Sequence, residues 1–149
     1  MSALLDVVVQ PVTVPIPRTP EGYVYELVED WEYHWEKDGI TQRIYIHAGF
    51  QFDGASVPAV ARMFVERDGL QRAAALPHDL IYRHRGRLPL GHHQWVDGGM
   101  WRDVVVYRWS RKDADRLFGR IMREAGVKRS VRRAAYLAVR AFGWWAWRS

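Results

Sequence analysis

Apolar and polar residues alternate through the N-terminal third of the chain, and this period of two predicts β-strands. Val12, Val14 and Ile16 recur at every second position, and the prolines among them place this segment at the edge of a sheet. Residues 23–28, 31–35 and 40–46 are rich in aromatic and β-branched side chains, and Lys37-Asp38-Gly39 is typical of a tight turn. The sequence therefore predicts antiparallel strands that include a hairpin.

The spacing of apolar residues changes to three and four from Leu70 onward, which predicts helices. A short helix over residues 59–65 is expected to precede this region. Pro77 either starts a new helical segment or kinks an existing one. Residues 84–109 are rich in glycine and long for a connection, so they are predicted to form a functional loop or a surface excursion with a short strand at 104–107.

Two further helices have recognisable ends. Ser110 with Asp113 three positions later is typical of a helix start, and apolar residues follow at helical spacing until Gly126. Ser130 is predicted to cap the last helix, which continues to Gly143. The whole pattern predicts an α+β fold in which an N-terminal antiparallel sheet packs against a C-terminal bundle of about three to four helices.

Length and composition favour one domain over residues 1–149, β-rich over 1–52 and helical over 59–149. A chain of 149 residues with 48% hydrophobic residues can bury a substantial core. It contains no cysteine, so a metal site would need oxygen or imidazole ligands. We expect no transmembrane segment and no signal peptide, because no apolar run of the required length occurs.

The net charge of +5 comes mainly from the C-terminal third, where arginines are followed by tryptophans. This combination predicts either a patch for a membrane surface or a partner protein, or a solvated helix face whose tryptophans cover the core. Nucleic acid is not an expected partner, because no named motif for it occurs. The patch residues are Arg129, Arg132, Arg133, Arg140, Trp144, Trp145 and Trp147.

Residues that perform chemistry occur in three segments. In a helix, His78 and Tyr82 share one face, whereas Asp79 is turned by roughly 100°. Asp115 lies at the edge of the apolar stripe of a later helix, where its carboxylate can reach inward and orient an imidazole. Asp53 precedes a glycine in a bend, and together with Asp79 it would supply oxygen ligands for a hard cation such as calcium.

The alternative for these residues is purely structural. His78 would then hydrogen-bond within a helix seam, and Asp79 would satisfy the first helical turn after Pro77. Asp115 would pair with Arg111 or Arg116 on a solvated surface. The adjacent pair His92-His93 is also better explained by a loop than by a metal site, because side chains of neighbouring residues diverge.

Four motifs follow one another along the chain: Phe52-Asp53-Gly54-Ala55-Ser56-Val57-Pro58, Ala75-Leu76-Pro77-His78-Asp79-Leu80-Ile81-Tyr82, Ser110-Arg111-Lys112-Asp113-Ala114-Asp115-Arg116-Leu117-Phe118 and Phe142-Gly143-Trp144-Trp145. Together they resemble a family of small proteins of unknown function found mainly in bacteriophages and prophages. The resemblance implies a viral protein with a virion, tail or lysis function. Such a protein would be made in the host cytoplasm and would meet other phage structural proteins or the host envelope.

A second resemblance concerns mechanism. His-Asp followed by a tyrosine on one helix, with Asp-x-x-Phe on another, is similar to the secreted calcium-dependent phospholipases A. It implies that His78 is the general base, Asp115 orients it and Tyr82 adds a hydroxyl, while Asp79 and Asp53 hold calcium. Two hypotheses follow: a metal-assisted hydrolase of a host-envelope ester, and a non-catalytic virion or tail component in which these residues lock the fold and the C-terminus docks.

Overall fold

The computed structural model describes residues 8–52 and 72–148, in which strands come first and most of the helical structure follows. This order confirms the predicted α+β class. The strands are β1 (Thr13–Pro15), β2 (Tyr25–Leu27), β3 (Trp31–Lys37), β4 (Ile40–Ile46), β5 (Gln51–Phe52), β6 (His93–Asp97) and β7 (Met100–Asp103). The helices are α1 (Arg72–Arg83), α2 (Arg111–Glu124), α3 (Arg129–Phe142) and α4 (Trp144–Arg148).

The described strands form two antiparallel sheets. A small sheet has the order β1-β2-β5, and a large sheet has the order β3-β4-β6-β7. In the small sheet β1 is an edge strand, as its prolines predicted, because a proline cannot donate to a neighbouring strand. In the large sheet β3 and β4 pair from Trp31–Ile46 to Lys37–Ile40, so the predicted hairpin is confirmed.

Both hairpins of the large sheet turn through two residues of positive φ. Asp38 and Gly39 have φ of 53° and 78° between β3 and β4, and Gly98 and Gly99 have φ of 59° and 81° between β6 and β7. Positive φ at both central positions is the requirement of the turn type that matches the twist of a hairpin. The sequences Asp-Gly and Gly-Gly meet it because glycine and aspartate tolerate this conformation.

The prediction of a long loop over 84–109 was wrong, because β6 and β7 lie within it. The strand predicted at 104–107 is also absent, and Val105 and Val106 are exposed. The sequence did not predict β6 because several of its residues are polar. In the structure His93 Nε2 pairs with Gln42 Oε1 of β4 at 2.8 Å, and Gln94 Oε1 accepts from Arg43 at 2.7 Å. A strand stabilised by such cross-strand polar pairs lacks a clear hydrophobic alternation.

Helix α1 runs through Pro77 and is buried along most of its length, so it occupies the centre of the helical half. At the start of α2 the Ser110 side chain accepts from the backbone N–H of Asp113, whose carboxylate accepts in return, and the predicted helix start is confirmed. The predicted cap at Ser130 was wrong. Helix α3 begins at Arg129 with Lys128 as its N-cap and no side-chain cap, which leaves Ser130 inside the first turn.

The core joins the large sheet to α1 and α2. Ile44 and Ile46 of β4 share it with Leu80 of α1 and Phe118 of α2, all of them buried. The end of α1 closely approaches the start of α2 at Gly86, whose φ is +83° and where a Cβ would lie 1.8 Å from the carbonyl oxygen of Trp109. The helix expected at 59–65 lies outside the described residues. Within those residues, no helix has the length and apolar character needed to span a bilayer.

Candidate functional site

Helix α1 directs two of the predicted residues at α2. His78 and Tyr82 are one turn apart, and their rings lie 4.1 Å apart between centroids. Phe118 of α2 packs on the imidazole at 5.0 Å. Both α1 residues are buried, His78 at 1% exposure and Tyr82 at 2%. The helical spacing seen in the sequence therefore places an imidazole and a phenol side by side at the seam of two helices.

Asp115 lies opposite them on α2 and accepts from both. Its Oδ1 is 2.7 Å from His78 Nε2 and 2.5 Å from the Tyr82 hydroxyl oxygen. The carboxylate is fully buried. The sequence placed Asp115 at the edge of the apolar stripe with an inward reach, and the structure brings it to the imidazole as expected.

Two arginines complete this group. The structural alternative drawn from the sequence named Arg111 as a partner of Asp115, whereas nothing in the sequence indicated this contact for Arg140. Arg140 of α3 donates from Nη1 to Asp115 Oδ2 at 2.7 Å, and Arg111 of α2 lies 3.5 Å from the same oxygen. Arg111 also donates to the carbonyl oxygens of Val139 and Arg140 at 2.9 and 3.0 Å, at the end of α3. We call His78, Tyr82, Arg111, Asp115 and Arg140 the Asp115 cluster. The spacing of four positions between Arg111 and Asp115 was the one feature of the sequence that indicated a contact within this cluster between an arginine and Asp115.

The charge state of Asp115 follows from its surroundings. Burial alone raises the pKa of this carboxyl, but the hydrogen bonds from His78, Tyr82 and Arg140 lower the pKa below its ordinary value of 3.8. Burial and the hydrogen bond to Asp115 both raise the pKa of Tyr82. Asp115 is therefore an anion and Tyr82 a neutral phenol at neutral pH.

An ionised carboxylate only accepts hydrogen bonds, so His78 Nε2 must carry a proton toward Asp115. In the neutral imidazole the lone pair then lies on Nδ1. The cluster thus favours one neutral tautomer of His78, in which Nε2 donates to Asp115 and Nδ1 is the acceptor nitrogen.

The structure describes only one of the two predicted metal ligands. Asp79 lies on α1 and is 5% exposed, whereas Asp53 lies outside the described residues. Within residues 8–52 and 72–148, no three imidazoles or carboxylates come together as a metal site. The pair His92-His93, assigned to a loop from the sequence, instead belongs to the large sheet: His93 is the first residue of β6, and His92 Nδ1 contacts the carbonyl oxygen of Tyr45.

The predicted C-terminal patch divides into outward and inward side chains. Arg129 and Arg133 are exposed and Arg132 is half-buried, and Trp144 and Trp145 stack on each other with Trp145 69% exposed. Arg140 and Trp147 contact the helices instead. Arg140 turns to Asp115, and Trp147 packs edge-on against Tyr82 at 5.1 Å, because α4 folds back onto α1.

Comparison with known proteins gives a family but no activity. A family model described as "Protein of unknown function (DUF1353)" matches residues 25–139, which include every member of the Asp115 cluster except Arg140. No curated protein and no solved structure matches the chain.

Proposed function

Because the chain belongs to the DUF1353 family, whose description names no activity, we propose its function from the Asp115 cluster: hydrolysis of an ester of the host envelope by a phage-encoded protein, with His78 as general base. One observation carries the proposal. A single carboxylate oxygen of Asp115 accepts from both His78 Nε2 and the Tyr82 hydroxyl, which orients the imidazole and favours one tautomer.

The proposed reaction uses only residues of this cluster. The reaction requires water and the ester to reach the His78 side chain, which has no exposed surface in the described structure. Nδ1 then takes a proton from water while the water oxygen forms a bond to the ester carbonyl carbon. Asp115 stabilises the imidazolium that results, and Tyr82 holds Asp115 in position. The bond to the alcohol oxygen then breaks, and the imidazolium returns its proton to the leaving alkoxide, which gives one acid and one alcohol.

Calcium stays a separate proposal. Bound calcium would polarise the ester carbonyl. It takes six to eight oxygen ligands, and of its two proposed carboxylate ligands the structure describes only Asp79. The described residues alone do not make up such a site, so no step above depends on it.

We expect calcium to raise the melting temperature of the wild type, and Asp79→Asn and Asp53→Asn to remove that increase. Equal melting of all three proteins at saturating calcium would exclude the metal.

A second candidate is a non-catalytic virion or tail component. The side chains of His78 and Asp115 have no exposed surface, and two arginines neutralise the carboxylate, as in a cluster that locks three helices together. The exposed pair Trp144 and Trp145 would then dock on a neighbouring protein, since exposed tryptophans are frequent interface anchors.

One set of variants separates the two candidates. Release of fatty acid from phospholipid vesicles, with and without calcium, measures activity, and thermal melting measures stability. If His78 is the base, His78→Gln lowers activity by about 100-fold or more in protein that still melts cooperatively. The exposed His47 provides the control His47→Gln, which should change neither quantity.

The opposite pattern assigns the structural role. A folded wild type that releases no fatty acid at any calcium concentration, together with a large loss of stability in His78→Gln, would reject this hydrolase. Binding of the same wild type to purified phage particles, abolished by Trp145→Ala, would then support the docking role.

A further inference from the structure

The large sheet and α2 border an open cleft of about 600 Å³ that is lined by five aromatic rings and also by charged side chains, among them Glu36, Lys37, Asp38 and Asp113. Trp35 of β3 stacks on His93 at 5.6 Å and meets Trp109 edge-on at 5.9 Å. Tyr107 meets both His93 and Trp109 at 5.5 Å, and Trp95 of β6 adds a further wall. We call this space the aromatic cleft. Its volume is in the range of sites that hold a small organic molecule or one unit of a polymer.

Two side chains in the aromatic cleft lack a partner among the described residues: the Trp95 ring has no ring contact, and the Trp109 indole N–H has no acceptor. Trp95 makes no ring contact in the described part of the chain, although it lines the cleft. Trp109 is only 6% exposed, and its indole N–H has no hydrogen-bond acceptor among the described residues. A buried donor without an acceptor is unfavourable. A ligand with a flat ring would supply the ring contact that Trp95 lacks.

A second cavity, of about 550 Å³, lies between α2 and α3 and is strongly basic. We call it the arginine groove. Gly119, Tyr136 and Leu137 also line it, and none of its described lining residues is a carboxylate. The basic residues that line it are Arg116, Arg120, Arg123, Arg132 and Arg133.

The arginines of this groove are poorly neutralised. Arg120 pairs with Glu124 at 3.2 Å, but the other four form no ion pair within the described residues. Like charges one turn apart on a helix repel each other. A concave surface lined by one sign of charge concentrates its potential and attracts counter-ions. The groove therefore fits a ligand that carries several negative charges.

The cleft and the groove are neighbours, because Arg116 and Arg120 line both. From this adjacency we infer that the protein binds single-stranded nucleic acid, with phosphates along the arginine groove and a base in the aromatic cleft. A basic groove beside aromatic rings is the combination by which proteins bind single strands. A bilayer surface fits less well, since it is flat and these arginines line a cavity.

This inference departs from the expectation drawn from the sequence, which contained no named nucleic-acid motif. The arginines come from two helices and the rings from strands and a loop, so no continuous motif exists to be recognised. The inferred site uses no residue of the Asp115 cluster. A negative result for nucleic-acid binding therefore leaves the proposed hydrolase untouched, and the reverse is also true.

The test measures binding of a fluorescein-labelled oligothymidylate of about 12 nucleotides by anisotropy over a salt series. Wild type should bind with an affinity that falls steeply with salt. Arg132→Gln combined with Arg133→Gln should lower affinity at least 10-fold. The pair should also reduce the slope of log K against log salt by about 1.4, because each phosphate that an arginine neutralises adds about 0.7 to that slope. Trp95→Ala should lower affinity by about 10-fold at every salt concentration.

Matched controls separate the site from net charge. Arg18→Gln combined with Arg87→Gln also removes two positive charges, but both residues are exposed and lie outside the cleft and the groove. This pair should bind as wild type does. Melting temperatures of all variants confirm that each is folded.

Three results would overturn the inference. The first is no binding of the oligonucleotide by folded wild type at low salt. The second is an equal decrease in affinity for the groove pair and the control pair, which would mean attraction by net charge alone. The third is binding of phosphatidylglycerol vesicles through Arg132 and Arg133 without binding of the oligonucleotide, which would assign the groove to a membrane.

Discussion

At the scale of single residues, Asp115 connects three helices, although the sequence around it indicates contacts only within its own helix and with an imidazole. Its two oxygens meet His78 and Tyr82 of α1 and Arg140 of α3. A buried carboxylate is unfavourable unless it is paired and hydrogen-bonded, and here each of these contacts favours its ionised form. The same residue therefore positions the proposed base and holds three helices together.

The substitution Asp115→Asn tests the structural part of this role. It keeps the shape of the side chain but leaves the guanidinium of Arg140 without its negative partner, so we expect a loss of about 3 kcal/mol or more in the free energy of unfolding. Urea unfolding followed by tryptophan fluorescence measures it.

Asp97→Asn is the matched control for this measurement. Asp97 pairs with Arg102 at 2.8 Å, but both side chains are about half exposed. An exposed pair contributes little, so we expect a change of less than about 1 kcal/mol. An equal decrease in the free energy of unfolding in Asp115→Asn and Asp97→Asn would show that the buried Asp115 cluster stabilises the protein no more than an exposed ion pair does.

At the scale of elements, the junction of α3 and α4 contacts both α1 and α2. Arg111 donates to carbonyl oxygens in the last turn of α3, where a helix leaves such groups without partners. Gly143 then allows the chain to pass directly over Tyr82 and bring Trp147 onto it. Its φ of −69° is open to any residue, so close packing, not backbone conformation, requires glycine there.

Gly143→Ala is expected to destabilise the protein by about 1–3 kcal/mol. The added Cβ would lie 2.5 Å from the carbonyl oxygen of Val139 and 2.8 Å from the Tyr82 hydroxyl oxygen, so the junction or the phenol must shift. Thermal melting measures the loss.

Gly119→Ala gives the opposite expectation within α2. Its Cβ would meet only the Tyr136 ring, at 3.4 Å, and alanine is the better helix former by roughly 0.5–1 kcal/mol. The melting temperature should therefore stay level or rise. A drop as large as that of Gly143→Ala would mean that the contacts at the α3–α4 junction are not the cause.

At the scale of the whole molecule, stability depends on keeping buried groups in one charge state. His93 lies in the aromatic cleft between sheet and helices, and burial lowers its pKa from 6.5 to about 4. Between these values the unfolded chain binds a proton at this position and the folded protein does not. The free energy of unfolding therefore rises with pH across this window, and decreases as pH falls from 6.5 toward 4.

The variant His93→Gln isolates this dependence, because every other titrating group is shared with the wild type. We expect the wild type to lose up to about 3 kcal/mol more than the variant between about pH 7 and about pH 4. Urea unfolding at several pH values measures both curves. Parallel curves would mean that His93 is protonated in the folded protein as readily as in the unfolded chain.

The sequence by itself determined features that depend on residues close together in the chain. The Asp38-Gly39 turn, the Ser110 and Asp113 helix start and the shared face of His78 and Tyr82 all follow from short spacings, at which backbone geometry fixes which side chains meet. The fold class follows from the same periodicities. These are the features that the sequence predicted and the structure confirmed.

Only the tertiary structure decided which of these faces meet. His78 and Asp115 are 37 positions apart and Arg140 and Asp115 are 25 apart, so their contacts depend on how three helices pack. The same holds for β6, whose polar residues are satisfied only by partners on β4, and for the groove between α2 and α3. Burial of apolar surface drives such packing without regard to sequence order, so no local spacing encodes it.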